Sequence, residues 1–584
     1  MAARQEPDEK IRFGPFEADL RTGELRKKGF KIRLQNKPFQ ILAALLEYPG
    51  ELVTRDQLQR RLWPGDTFVD FENGLNTALT KLRESLCDSA DEPKYIETLP
   101  RRGYRFMAPV NKPARSRITM MAVLPFENLS GDQQQEYFSD GLTEEMITQL
   151  ARLDPERLGV IARTSSLRYK RTAKGIGEIA RELRVDWILE GSVRRSAERV
   201  RITAQLVRMQ DESHLWAQSY DRELRDILVV QSEVALAIAG EINLKLDSEV
   251  QARSGDVRQV NPEAYRACLM GCYHLAKFNR EGINKGIAYL LQSIAIDPNY
   301  APPYDDLAFA YFISSGWILP PREAMMKAKE AALEGLKIDE SLAEAHASLG
   351  IIQLRYDWDW AAAEKSCQRA VQINAGSSRA HEFYGWYLAA MGRFEEAIEK
   401  ERRALELDPV SPEVSTLLGH VLYLARRYDQ AVEQLHKALE LDEDYWFAHL
   451  ILGLALQQQG KLPEAIEQLQ RTRQEEPVSP ETMGALGQAY AAAGRSEKAI
   501  GVLEELEKWS KRYYVSPFHR GRIYAALGQR EQAFAWFETA YEERSFYLSW
   551  FKVEPELDPL RSDPRFKSLL QRLSFPAFAV ERPV

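Results

Sequence analysis

Six glycines, Gly350, Gly385, Gly419, Gly453, Gly487 and Gly521, recur every 34 or 35 residues, and Ala397, Ala431, Ala465, Ala499 and Ala533 fall 12 positions after the last five. A fixed period of that length excludes one closed core for this half of the chain, because each unit can bury its apolar face only against the next. Small residues at two fixed places let paired helices approach closely. Phe394, Tyr428 and Leu462 open second helices, and Pro409 and Pro477 break the chain between units. A degenerate unit spans Pro262 to Pro298, and a longer one, with an insertion around Gly316 to Pro321, spans Pro302 to Asp339. About eight units are expected to Tyr541.

The period is the tetratricopeptide register. An all-α solenoid is therefore expected over residues 261–545. A capping helix and tail are expected over 546–584, where LDPLRSDPRFKSLLQRL resembles the terminal helix of such arrays. A solenoid of this kind presents a concave surface to a peptide or partner protein and supplies no chemistry by itself.

At 584 residues the chain exceeds what one core supports, and 45% hydrophobic with 28% charged residues excludes a disordered or fibrous protein. The net charge of −8 hides an asymmetry. Residues 1–116 hold 21 Lys and Arg against 17 Asp and Glu, a balance of +4, so the rest of the chain carries −12. Four cysteines, Cys87, Cys268, Cys272 and Cys367, are too scattered for a disulfide framework and fit a reducing compartment. The start, MAARQEPDEK, has no apolar stretch, and no run of about 18 apolar residues follows. A cytoplasmic protein without a membrane span is the expectation.

The basic N-terminal part has the marks of a DNA reader. Leu75, Leu79, Leu82 and Leu86 form one apolar stripe on a helix expected over 71–86. Its other face carries Asn73, Asn76, Thr77, Thr80, Lys81, Arg83 and Glu84, whose amides, hydroxyls and cations suit base edges and phosphates. Two short aromatic-anchored runs, Tyr95 to Thr98 and Tyr104 to Met107, flank the tip Pro100-Arg101-Arg102-Gly103 and predict a hairpin with a positive φ at Gly103. Upstream, strand-like pieces (Ile11 to Phe16, Glu24-Leu25, Ile32 to Leu34) precede a helix from Pro38 to Tyr48. Thr54-Arg55-Asp56-Gln57 reads as a capping box for another, ending near Trp63-Pro64-Gly65.

In order and spacing, LQNKPFQILAALLEYPGELVTRDQLQRRLWP, NTALTKLRESL and YIETLPRRGYRF resemble the OmpR/PhoB-type winged-helix output domain over about 100 residues. The resemblance implies a winged helix-turn-helix over 11–110 that binds double-stranded DNA. Asn76, Thr77, Thr80 and Lys81 would then face the major groove, Arg83 a phosphate, and Arg101 and Arg102 would form the wing tip. Where many relatives have several arginines along this helix, this chain has Ala78, Thr80 and a single Lys81. With no phosphorylatable receiver ahead of it, the arrangement is similar to CadC-type one-component regulators, which usually carry a membrane helix.

Residues 117–250 read as a separate α/β domain. Strands are expected at Ile118 to Phe126, Gly159 to Ala162, Asp186 to Val193, Arg199 to Met209 and His214 to Tyr220, the last three as a meander. Helices are expected at Glu144 to Leu153, after a cap region from Asp140 to Thr143, at Ile176 to Leu183 and at Ile227 to Leu246, giving a two- or three-layer sandwich. The strings AVLPFENLSGDQQQEYFSDGLTEEMITQLARL and DWILEGSVRRSAERVRITAQLVR resemble the TolB N-terminal-like domain of bacterial regulators. That domain also occurs beside some nucleotide cyclases, but no cyclase catalytic segment is present here. Short segments at 1–10, 111–116 and 251–260 read as a disordered start and two linkers.

Several residues invite chemistry and have plainer readings. His346, His381 and His449 each lie four residues before a repeat glycine, so a structural role is favoured over metal binding. Cys268 and Cys272 lie one helical turn apart and lack a second ligand pair of the same spacing, which favours core thiols over zinc. Ser139-Asp140-Gly141 reads as a helix cap rather than an anion site, and Arg194, Arg195, Arg199 and Arg201 as a solvated hairpin. No Walker loop, HExxH or GxSxG occurs, so neither an enzyme nor a cofactor or metal is expected.

The expectation is a multidomain α+β chain acting as a DNA-binding transcriptional regulator, possible as a homodimer on tandem half-sites, with the repeats receiving a protein or peptide signal. The alternative is an interaction scaffold whose winged helix has become a docking module.

Overall fold

The structure, a computed structural model, describes residues 10–19, 22–47, 49–50, 52–62, 71–100, 102–111, 118–132, 135–155, 157–196, 199–242, 260–316, 318–472 and 479–576. It divides into two compact units, Met1–Ile118 and Thr119–Val584.

The first unit opens with strands β1 (Lys10–Phe13), β2 (Phe16–Asp19), β3 (Glu24–Lys27) and β4 (Phe30–Ile32), joined at the far edge by β8 (Val110–Asn111) in the order β4-β3-β2-β1-β8. The expected single piece from Ile11 to Phe16 is two strands, because Gly14 turns the chain at a φ of +51°. Helices α1 (Asn36–Glu47), α2 (Arg55–Leu62) and α3 (Phe71–Leu86) follow, with β5 (Leu52–Thr54) between the first two. Helix α1 starts ahead of the expected Pro38, which is tolerated in a first turn whose N–H groups have no helical partner. The capping box is present: Gln57 N donates to Thr54 Oγ1 at 3.2 Å, and Thr54 N donates to Gln57 Oε1 at 2.7 Å. The hairpin β6 (Ile96–Leu99) and β7 (Gly103–Phe106) pairs with β5 in the order β5-β7-β6. One core of its own, including Phe13, Leu42, Leu75, Leu82 and Phe106, holds the unit together. The expected end of α2 near Trp63-Pro64-Gly65 lies outside the described residues.

The second unit begins as α/β. Strands β9 (Thr119–Val123), β10 (Glu127–Asn128), β11 (Leu158–Val160), β12 (Trp187–Ser196), β13 (Arg199–Arg208) and β14 (Ser213–Glu223) form one sheet, β11-β9-β12-β13-β14, with β10 also on β12. The first three strands of that path run parallel and the last three form the expected meander. Successive residues of β9 face opposite sides. Met121 and Val123 join a core with α4 (Glu136–Leu153) and α7 (Ile227–Glu241), while Ala122 joins another with α6 (Ile176–Leu183). Helices therefore cover both faces at the parallel end.

Helix α4 corrects the expectation of a cap at 140–143. It starts at Glu136, and Ser139, Asp140 and Thr143 lie buried inside it. Thr143 Oγ1 donates to Ser139 O at 2.9 Å and accepts from Phe126 N at 3.0 Å, while Lys170 Nζ reaches Asp140 Oδ1 at 2.5 Å. Tertiary partners here override the weak helix preference of these residues. The arginine hairpin is solvated as expected, with Arg199 and Arg201 both paired to Asp221.

From Pro262 to Glu542 the described residues form eight helix pairs, from Pro262–Leu275 with Arg280–Ile296 to Pro517–Ala526 with Arg530–Glu542. The repeat glycines sit where helices cross. A Cβ on Gly419 would meet Leu435 at 2.7 Å, and one on Gly453 would meet Leu469 at 2.6 Å. The repeat histidines share one structural job, each Nε2 facing the carbonyl six residues earlier: Glu340, Ala375 or Glu443.

Segments from outside the repeats pack against several of the repeat helices. Helix α4 lies against Pro262–Leu275, where Tyr265 Oη donates to Glu145 Oε2 at 2.7 Å. Helix α5 (Arg163–Leu167) meets the turn after the helix Phe394–Leu407. There Ala162 N donates to Leu407 O at 2.7 Å, Ser165 N to Asp408 Oδ1 at 2.9 Å, and Arg168 to Val410 O and Leu441 O at 3.1 and 2.8 Å. From the other end, residues 546–573 fold back onto helices of several repeats. Trp550 lies 6.1 Å from the Trp386 ring, Glu556 binds Tyr423 and Arg522, and Trp360 Nε1 donates to Leu573 O at 2.9 Å. Sheet, solenoid and tail share one apolar core. The expected tail helix is Pro564–Arg572, preceded by two 3₁₀ turns.

Candidate nucleic-acid interface

Helix α3 spans Phe71–Leu86, as its apolar spacing requires. Leu75, Ala78, Leu79, Leu82 and Leu86 are buried, so Ala78 belongs to the stripe and an arginine there could not reach outward. Asn76, Thr77, Thr80 and Lys81 are exposed side by side on the opposite face. Thr80 Oγ1 donates to Asn76 O one turn back at 2.9 Å, leaving its lone pairs outward. Lys81 Nζ donates to Gln35 Oε1 at 2.9 Å across an exposed gap, and Arg55 Nη2 donates to Asn76 Oδ1 at 3.2 Å. Exposed contacts of this kind exchange readily with water or a phosphate oxygen.

Arg83 takes a different place. It is half-buried, and its Nη2 donates to Ile96 O at 2.9 Å and to Thr98 Oγ1 at 2.8 Å. It braces α3 against the first strand of the hairpin. Asp88 completes the brace. After Cys87 stops the helix at a φ of +55°, the Asp88 carboxylate accepts from Lys94 N, Tyr95 N and Ile96 N at 2.6, 3.3 and 2.9 Å. Carboxylate bonds to several main-chain donors are among the stronger ones in proteins, so the angle between helix and hairpin is fixed by these two residues.

At the hairpin turn Arg102 N donates to Leu99 O at 3.0 Å, and Arg102 is exposed. Arg101 lies outside the described residues. Gly103 is required twice over: its φ is +152°, and a Cβ there would stand 2.1 Å from Val53 O on β5. Phe106 packs edge-on to Phe13 at 5.1 Å, anchoring the hairpin base on the N-terminal sheet. The sequence reading missed Arg55 and Gln35, which touch the reading face. Arg55 had a signal, since it directly follows the capping Thr54.

This geometry is a helix-turn-helix with an exposed polar third helix and a β-wing. The family described as "Transcriptional regulatory protein, C terminal" matches residues 29–106. Residues 116–235 match "HilA/YgeH-like transcriptional regulator, second domain". Tetratricopeptide repeat families match 354–412, 416–480, 452–513 and 518–545. The chain thus has the make-up of a transcriptional regulator of the OmpR/CadC/HilA type, with a DNA-binding domain and tetratricopeptide repeats.

Among particular relatives, the transcriptional regulator HilA of Salmonella typhimurium is 26% identical over 386 residues, 65% of this chain and 67% of that protein. A Rhizobium meliloti protein named "Putative adenylate cyclase 3" is 37% identical over 267 residues, 45% of this chain and only 43% of that protein. The transcriptional activator CadC of Escherichia coli is 28% identical over 101 residues, 17% of this chain and 19% of that protein. No helix among the described residues is long and apolar enough to cross a membrane.

Proposed function

We propose that the chain controls transcription by holding promoter DNA on its first unit, with Asn76, Thr77, Thr80 and Lys81 in the major groove and Arg101 and Arg102 on the backbone beside the wing. The observation that carries this is the exposed amide, hydroxyl and ammonium face of α3, held at a fixed angle to the hairpin by Arg83 and Asp88. In this reading Arg83 positions the wing and the readers choose the sequence. The unit binds tandem half-sites as a dimer in the cytoplasm, which offsets a helix with few cations. A partner protein or peptide acts through the repeats, on the faces that α4 and residues 546–573 leave open.

Relatives that are regulators support a non-enzymatic role. The likeness to the cyclase-named protein spans less than half of either chain and carries no activity across.

The test is titration of genomic fragments with residues 1–116, which own a separate core. Enriched fragments should be released steeply by salt, since phosphate neutralisation frees counterions. Lys81→Ala with Arg101→Ala should weaken specific binding at least about tenfold at fixed salt. An unchanged titration overturns the assignment of these residues. Failure to enrich any fragment over random DNA would favour the scaffold reading.

A further inference from the structure

We propose that Cys268, Cys272 and Asp306 form a binding site for a zinc-like divalent cation at the seam where α4 meets the first two repeats. The sequence shows two thiols one turn apart and no second pair; the fold supplies the third ligand from the neighbouring helix. Cys268 and Cys272 lie on Pro262–Leu275 and Asp306 on Pro302–Ser314. Their ligand atoms all fall within 4.8 Å of one another. Asp306 Oδ2 is 3.0 Å from Cys272 Sγ and 3.9 Å from Cys268 Sγ. A tetrahedral zinc with ordinary Zn–S and Zn–O bonds places sulfur and oxygen about 3.5 Å apart, between those two distances. Small side-chain rotations therefore suffice to close the site.

The surroundings call for positive charge. Glu144 lies close to Asp306, and Tyr300 Oη, near both thiols, is buried without a hydrogen-bond partner. Glu144 itself is paired with Arg163 at 3.2 Å. Asp306 Oδ2 accepts from the two thiols, which are weak donors. On binding, the two S–H protons leave to solvent, and two thiolates and a carboxylate around a dication total −1, which the nearby guanidinium groups of Arg379 and Arg163 moderate. A water completes the fourth position. Thiolate ligands select zinc over magnesium or calcium. The cation would pin together the two repeats that lack the regular glycine signature, directly under α4.

The test uses the reduced full chain and cobalt(II) as a spectroscopic stand-in for zinc. One equivalent should give a thiolate-to-cobalt absorption band that zinc abolishes. The band should disappear in Cys268→Ser with Cys272→Ser and persist in Cys87→Ser, which removes the exposed cysteine. Asp306→Asn should weaken cobalt binding at least about tenfold. No band in the wild-type chain, or a band that survives the double serine change, overturns the proposal. If the double variant fails to fold, the wild-type chain decides: zinc should raise its melting temperature, and a band without that rise counts against a site at this buried seam.

Discussion

Glu401 stands one period before Leu435 and two before Leu469, at the position where a second helix packs on a repeat glycine. Its side chain is fully buried, and neither carboxyl oxygen has a hydrogen-bond partner. Burial, and then Glu382, raise its pKa well above the ordinary value, so the folded chain favours the neutral acid. A carboxyl raised in the folded state gives stability that is whole below its unfolded pKa, about 4.3, and is lost as pH rises toward the folded value. Glu401→Leu, which restores the side chain of the next two repeats, should stabilise the second unit by about 1–3 kcal/mol at pH 7. Thermal melts from pH 5 to neutrality would check it. The variant should lose less stability across about that range than the wild type, and parallel curves would refute the account. The period located this position, but only the packing shows that its acid has no partner.

At the scale of elements, α3 and the wing act as one piece because Arg83 and Asp88 join them. Sequence reading found the helix to the residue, since an apolar stripe with spacings of four, three and four has one helical solution. For Arg83, which lies near the polar face, the winged-helix resemblance implied a phosphate contact. The brace to Ile96 and Thr98 depends on where the hairpin lies, which the helix pattern does not contain. The two roles separate in a salt titration. Arg83→Ala should weaken DNA binding while leaving the slope of log affinity against log salt unchanged; a slope smaller by about 0.9 would mark a lost phosphate contact instead. Helix α4 teaches the same point, since the residues from Ser139 to Thr143 look like a start signal and become interior once Lys170 pairs with Asp140 and Phe126 N donates to Thr143.

Across the whole second unit, the α/β layer and the solenoid are bound by the buried contact of Ser165 with Asp408 and by Arg168 on two carbonyls. Asp408→Ala together with Arg168→Ala should loosen this docking. Amide exchange should rise in α5 and in the turn at 408–411, while the repeats at 446–542 stay protected. Unchanged exchange at α5 would show that apolar contacts alone hold the layers together.

By itself the sequence determined the elements and their kinds: the eight-pair solenoid from its 34-residue period, the winged helix from its stripe and hairpin, and the meander from its alternation. These are local or periodic signals, and each unit of the pattern repeats the evidence. Only the tertiary structure decided what those elements meet. The solenoid was expected to present a concave surface to a partner, and several of its helices already pack against α4 and the chain's own residues 546–573. Cys268 and Cys272 gained Asp306 in the same way. Contacts between residues 34 to 243 positions apart leave no periodic trace in a single sequence, because any buried apolar face can pair with another until the backbone brings one of them close.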